Sequence, residues 1–214
     1  IRDRNQLDMN GEVVIGEGER DKAPMLFIGE KVGSKLGGPE IDIALDPLEG
    51  TTICATGAQN ALTVIAFAKK GCFLNAPDVY MEKIAVGGSL PKDLISLEEK
   101  PIVNIQNLAK AKKKDIGELV VCILNRERHS ELIRNCREVG ARIMLISDGD
   151  VSGVIATSEE DSGVDMYIGT GGSPEGVLAA AALRCIGGQM QTRLVFRNEE
   201  EISRAKKVGI NDLR

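Results

Sequence analysis

Ile41-Asp42-Ile43-Ala44-Leu45 runs straight into Asp46-Pro47-Leu48-Glu49-Gly50-Thr51-Thr52. The first five residues are mostly apolar and carry β-branched side chains, the pattern of a buried strand. Pro47 then fixes φ and bends the chain. A turn from Pro47 to Gly50 would let Asp46 and Glu49 aim at one point. Two carboxylates that close repel unless a cation lies between them, and such hard oxygen ligands suit Mg²⁺ or Mn²⁺. Gly50 permits close approach to the backbone, and Thr51 and Thr52 offer hydroxyl and N–H groups to a phosphate. A plain strand-ending turn with surface acids accounts for the spacing equally well.

The 214 residues suit one large domain or two small ones. The chain is 43% hydrophobic and 28% charged, with a net charge of −5. That balance argues against a general nucleic-acid or membrane binder, although metal ions and a few arginines could still present an anionic substrate with a locally positive field. No apolar run is long enough for a transmembrane helix, and no signal peptide is visible in a chain that starts at Ile1. The five cysteines, Cys54, Cys72, Cys122, Cys136 and Cys185, form no C-x-x-C and read as free, mostly buried thiols of a cytoplasmic protein. One histidine is too few for a zinc site or an H-E-x-x-H protease.

Upstream, residues 1–12 read as a helix end and turn, and Val13-Val14-Ile15 as a strand. The strand leads into Gly16-Glu17-Gly18-Glu19-Arg20-Asp21, either an acidic metal-binding loop or a solvated one. Pro24 opens a helical pattern through Met25, Leu26, Ile28 and Val32. Downstream, 61–68 reads as a buried strand and 72–86 as a strand pair around Asn75-Ala76-Pro77-Asp78. Residues 87–101 read as a linker between halves 1–90 and 102–214. Lys110 to Lys114 reads as a basic, solvated helix end.

The second half repeats strand, loop and helix three times: strands at 119–124, 142–147 and 165–168, helices at 129–139, 151–156 and 176–186. This predicts parallel strands with helical crossovers and ligands beyond the strands' carboxyl ends. The loops there carry Arg126, Glu127 and Arg128, then Asp148, Gly149 and Asp150, then Gly169 to Gly176 with Gly172 and Glu175. Arginines can grip phosphate in a bidentate manner. The aspartates can accept from sugar hydroxyls or bind metal, and the glycines ahead of a helix make an anion cradle, where Glu175 could equally answer the helix dipole. The glycines form neither a dinucleotide fingerprint nor a Walker A loop. His129 reads as a surface residue at a helix start, and Tyr80 as a packing residue unless its loop lines a cleft. Acids at three strand ends, two arginines and a glycine cradle together suggest a metal-assisted sugar-phosphate hydrolase.

Five motifs in order carry a closer resemblance: Gly16-Glu17-Gly18-Glu19-Arg20-Asp21-Lys22-Ala23-Pro24-Met25, Asp46-Pro47-Leu48-Glu49-Gly50-Thr51, Asn75 to Lys83, Ile146-Ser147-Asp148-Gly149-Asp150 and Gly172-Ser173-Pro174-Glu175-Gly176. They resemble the class II fructose-1,6-bisphosphatases of bacteria, within the lithium-sensitive, metal-dependent phosphatase superfamily. The resemblance implies a mixed α/β and α+β fold, a layered α-β-α-β-α sandwich of the sugar phosphatase and inositol monophosphatase type. It implies Mn²⁺ or Mg²⁺ as cofactor and hydrolysis of fructose 1,6-bisphosphate to fructose 6-phosphate in gluconeogenesis. The protein would be a cytoplasmic homodimer or homotetramer. Position by position, Glu17 would ligate one metal, and Asp46, Glu49 and Glu175 the other. Glu49, Gly50 and Thr51 would meet the reacting phosphate. Tyr80, Arg126, Glu127, Arg128, Asp148, Gly149, Asp150 and Gly172 would hold the sugar and its second phosphate. Thr51, with Glu19 or Asp21, would orient the attacking water. The likeness also implies a chain incomplete at both ends, with an upstream aspartate ligand outside it and possible joins near 87–101 and 191–199. Sedoheptulose bisphosphate or inositol phosphate as substrate, or a non-catalytic sugar-phosphate-binding regulator, are the alternatives.

Overall fold

The computed structural model describes residues 6–18, 24–34 and 37–212. Two mixed sheets form its frame. The first contains β1 (Asn10–Ile15), β2 (Lys31–Val32), β3 (Glu40–Glu49) and β4 (Leu62–Lys69) in the order β2-β1-β3-β4. β1 and β3 are parallel, and the other pairs antiparallel. The second sheet contains β5 (Tyr80–Gly87), β6 (Val120–Leu124), β7 (Arg142–Ile146), β8 (Met166–Gly172) and β9 (Gly188–Val195), ordered β7-β6-β8-β5-β9. Its β7-β6-β8 part is parallel, as the strand–helix rhythm predicts, and β5 and β9 join it antiparallel.

The helices are α1 (Thr51–Thr56), α2 (Pro101–Lys112), α3 (Ser130–Glu138), α4 (Asp150–Ala156), α5 (Ser173–Ile186) and α6 (Glu199–Lys207). Alternation along β5 assigns its side chains to two faces. Ile84 and Val86 enter a core with Ile105 and Leu108 of α2 and Ile133 and Cys136 of α3, whereas Ala85 faces Val151 and Val154 of α4 and Val177 and Leu178 of α5. The α4–α5 core also takes Ile15 and Ala44 from the first sheet. Sheet, helices, sheet and helices therefore stack in that order, giving four layers of the expected sandwich. No helix among the described residues is long and apolar enough to cross a membrane.

Several expectations need correction. The segment after Pro24 is not a helix: Leu26 and Gly29 take φ of 60° and 90°, Phe27 bridges Glu17, and β2 follows. Its apolar residues feed a turn that the 3.6-residue period imitates. Residues 10–12 belong to β1 rather than to a helix end. Residues 72–79 form no strand. β4 is an edge strand, not a buried one, and Ile65 and Phe67 are about half exposed. Residues 88–100 lack regular structure, yet Ile95 is buried in the α2–α3 core and Leu90, Leu94 and Leu97 pack on it. Lys112 and Lys114 both pair with buried Asp165 instead of facing only solvent. All five cysteines are free, but only Cys122 and Cys136 are buried.

Gly16 shows why the first motif needs glycine. Glu17 N–H donates to Leu26 O at 2.8 Å, and a Cβ at residue 16 would overlap that same carbonyl oxygen. Gly16→Ala is expected to lower stability by roughly 1–3 kcal/mol, the usual cost of forced overpacking. A lower thermal midpoint with otherwise native circular dichroism checks it.

Candidate active site

The carboxyl ends of β3, β6, β7 and β8 meet at one cavity. Residues 46 and 49 would face opposite sides of a regular strand. The structure solves this differently from the expected turn: β3 continues to Glu49 through a one-residue bulge, with Asp46 opposite Val64 and Glu49 opposite Leu62. Pro47 lacks the N–H a ladder would need, which favours a bulge here. Asp46 Oδ1 accepts from Leu48 N–H at 2.9 Å, and Pro47 O accepts from Thr63 Oγ1 at 2.9 Å. Both acids thereby line a cavity of about 230 Å³ together with Gly50, Thr51, Arg126, Arg128, Asp148, Asp150, Gly171, Gly172 and Glu175. A second cavity shares Asp46 and Glu175 as walls and adds Glu17 and Asp78.

Three helices start at this place. The residues before α1, α4 and α5 are Gly50, Gly149 and Gly172, none of which supplies a side-chain cap. Gly50 and Gly149 have φ of 91° and 84°, a region glycine enters without strain. The exposed N–H groups are answered crosswise. Thr52 N–H of α1 donates to Asp148 Oδ2 and Val151 N–H of α4 to Glu49 Oε1, each at a long 3.4 Å. Such helix ends favour anions. The anticipated glycine loop is in fact the end of β8, and α5 begins at Ser173, so Glu175 falls in its first turn.

The acids crowd one another. Burial first, and then Asp150, push the Glu49 carboxyl up to about 8, although one N–H bond opposes this. Burial also raises Asp46 and Glu175; Asp148 adds to the first and Asp150 to the second, while Lys83 opposes the rise at Glu175. Glu49 Oε2 and Glu175 Oε2 are buried and, among the described residues, accept no hydrogen bond. Among the described residues, no three acidic, histidine or cysteine side chains are already arranged to hold one ion. The donor chemistry nonetheless fits a hard divalent cation: oxygen ligands whose charge is held back only by burial and mutual repulsion.

Cations stand on the other wall. Arg126 donates to Ser147 O, and its Nη2 lies 3.5 Å from Asp148 Oδ1. Arg128 donates to Thr170 O from Nε and Nη2 at 3.0 and 2.7 Å. The guanidinium carbons of Arg128 and Arg197 each lie 4.8 Å from the centre of the Tyr80 ring.

Sequence comparison adds the decisive observation. The sequence model of the family described as bacterial fructose-1,6-bisphosphatase, glpX-encoded, matches residues 2–214. The chain belongs to this family. It is 46% identical over 219 residues to fructose-1,6-bisphosphatase 1 class 2 of Escherichia coli (strain K12), covering 96% of the chain and 65% of that relative. It is 44% identical over 211 residues to fructose-1,6-bisphosphatase class 2 of Haemophilus influenzae, covering 98% of the chain and 63% of that relative.

Most residues drawn from the family resemblance converge here. Glu17 lies in the adjoining cavity, Gly149 abuts Glu49 and Tyr80 joins through Arg128. Glu127 is exposed on the 3₁₀ turn Glu127–His129 and does not line either cavity. Glu19 and Asp21 lie outside the described residues.

His129 is not the surface residue its position suggests. It is buried and wedged where β6 and β8 diverge. Its Nδ1 lies 2.8 Å from Leu124 O, and Nε2 accepts from Thr170 N–H at 2.8 Å, which assigns the neutral ring with its proton on Nδ1. Burial holds its pKa below the usual 6.5, helped by Arg128 and Arg126 and opposed by the Leu124 bond. Above 6.5 the ring is neutral in both folded and unfolded chains. As pH falls below 6.5 the unfolded chain takes its proton first, and stability declines until the folded ring also protonates. Urea midpoints are expected to fall over that interval, with a shallower fall in His129→Gln. The chain's single histidine makes its NMR titration directly assignable.

Proposed function

We propose that the site hydrolyses the 1-phosphate of fructose 1,6-bisphosphate, giving fructose 6-phosphate and phosphate, with Mn²⁺ or Mg²⁺. The observation that carries this reading is the meeting of buried carboxylate oxygens, unpaired among the described residues, with three helix N-termini and two arginines in one cavity. A cation-binding half thus faces an anion-binding half. The names of the relatives supply the substrate.

Asp46, Glu49 and Glu175 would hold one cation and Glu17 another. A bound divalent cation neutralises phosphoryl oxygens and acidifies water. The protein's own groups do the remaining work. Gly50 and the start of α1 would present N–H groups to the reacting phosphate, and the Thr51 hydroxyl would orient the attacking water. Glu19 or Asp21 would help to orient that water. Arg126 and Arg128 would hold the second phosphate, with Tyr80 beside them. Asp148 and Asp150 would accept from sugar hydroxyls. Phosphate monoesters react very slowly unaided, so positioning and charge stabilisation must supply most of the acceleration.

Phosphate release should be measured on the full-length protein with fructose 1,6-bisphosphate, sedoheptulose 1,7-bisphosphate and inositol monophosphate, each with Mg²⁺ and Mn²⁺. Fructose 1,6-bisphosphate is expected to give the highest kcat/KM. No release from any of the three would refute the reading, and a clear preference for inositol monophosphate would replace its substrate.

A further inference from the structure

One charged side chain beneath the site takes no part in the mechanism above. Lys83 is fully buried, and among the described residues it is the only lysine or arginine in the buried set. Strand alternation turns it toward α4 and α5, the same side as Met81 and Ala85. Its ammonium lies 2.5 Å from Asp150 Oδ2, the oxygen that also accepts from the buried Tyr167 hydroxyl at 3.5 Å. Two glycines line its path. A Cβ at Gly171 would lie 3.1 Å from Nζ, and one at Gly176 3.1 Å from Cε. An apolar side chain of similar length would fill this space without the cost of desolvating a charge, so packing alone does not account for an ammonium here.

The position of the pair gives it a use. Asp150 is the first residue of α4 and lines the cavity beside Glu49 and Glu175. With Oδ2 engaged from below, Oδ1 remains for the cavity. We propose that Lys83 is a positioning residue for sugar binding: it fixes Asp150 so that Oδ1 meets a substrate hydroxyl, and its charge moderates the pull of the neighbouring carboxylates on a cation. This rests on the fructose-bisphosphatase reading for the sugar, but not for the cation. The two roles give effects of opposite sign. Loss of the ammonium should weaken sugar-phosphate binding through a misplaced Asp150, yet strengthen cation binding by removing a like charge.

The test uses Lys83→Met, Asp150→Asn and the double variant of the full-length protein. Mn²⁺ alone is titrated by calorimetry, and KM and kcat for fructose 1,6-bisphosphate come from phosphate release. Lys83→Met is expected to bind Mn²⁺ several-fold more tightly, with KM raised at least tenfold and kcat changed far less. Weaker binding of both ligands would mean a merely structural lysine, and unchanged binding of both would mean none of these roles; either result overturns the proposal. If Lys83→Met does not fold, the double variant decides, because it removes both buried charges together. Its KM is expected to match that of Asp150→Asn, since a residue acting through Asp150 adds nothing once Asp150 is changed. A KM several-fold higher still overturns the proposal. An inactive wild-type protein would count against the phosphatase reading alone, and the Mn²⁺ titration would still decide the role of Lys83.

Discussion

Glu49→Gln should abolish turnover and, without metal, make the protein more stable. Glu49 is 4% exposed, and its Oε2 has no hydrogen-bond partner among the described residues. Its pKa is raised from 4.5 to about 8, first by burial and then by Asp150. Between these values the unfolded chain has lost the proton that the folded chain retains, so stability is lost as pH rises from 4.5 towards 8. At pH 8 the penalty is on the order of a few kcal/mol. Glutamine removes it while preserving shape. In chelator the variant should therefore melt higher than the wild type, by roughly 5 °C or more for a domain of this size. Mn²⁺ should raise the wild-type midpoint strongly and the variant's little, because a bound cation reverses the sign of the Glu49 contribution. Phosphate release should fall at least ~10³-fold, the scale of losing a group that stabilises transition-state charge. A variant that melts lower in chelator, or retains near-normal turnover, would remove Glu49 from this role.

Gly171→Ala carries the other large expected effect. Gly171 pairs with Met81 across β8 and β5, and the added Cβ would overlap Asp150 Oδ2 and approach Lys83 Nζ to 3.1 Å. The neighbour that must yield is an end of a buried ion pair, not a free side chain. Moving it would leave two buried charges imperfectly matched, a situation that costs roughly 3–5 kcal/mol when a pair is fully broken. A loss of about 2–4 kcal/mol in stability and of at least ~10²-fold in kcat/KM is expected, measured by urea unfolding and phosphate release. Native stability together with native kinetics would show that the Lys83–Asp150 geometry is dispensable.

Much of this site is legible in the chain. Acid, proline, acid and glycine after an apolar run suggest that Asp46 and Glu49 share one place, and both line one cavity, although a bulge rather than a turn unites them. The strand–loop–helix rhythm exposes β6, α3, β7 and α4: β6 is a continuous apolar run buried on both faces, and α3 and α4 each bury one face. It fails after Pro24, where apolar residues support a turn and a two-residue strand whose pairing is non-local. His129 and Lys83 are misread or passed over for a related reason. Polar residues normally face water, and only the divergence of β6 from β8, or the position of Asp150 in the cavity wall above Lys83, gives these two a buried partner. A lysine within the otherwise buried run Lys83-Ile84-Ala85-Val86 is the one signal that could have drawn attention to it.

The central claim is that carboxylates distant in sequence jointly hold divalent cations against a phosphorylated sugar. Anomalous scattering from crystals of the full-length protein grown with Mn²⁺ tests it most directly. The account predicts a peak about 2.1 Å from oxygens of Asp46, Glu49 and Glu175, and a second at Glu17. Peaks confined to other surfaces, with these four carboxylates unligated at saturating Mn²⁺, would contradict it.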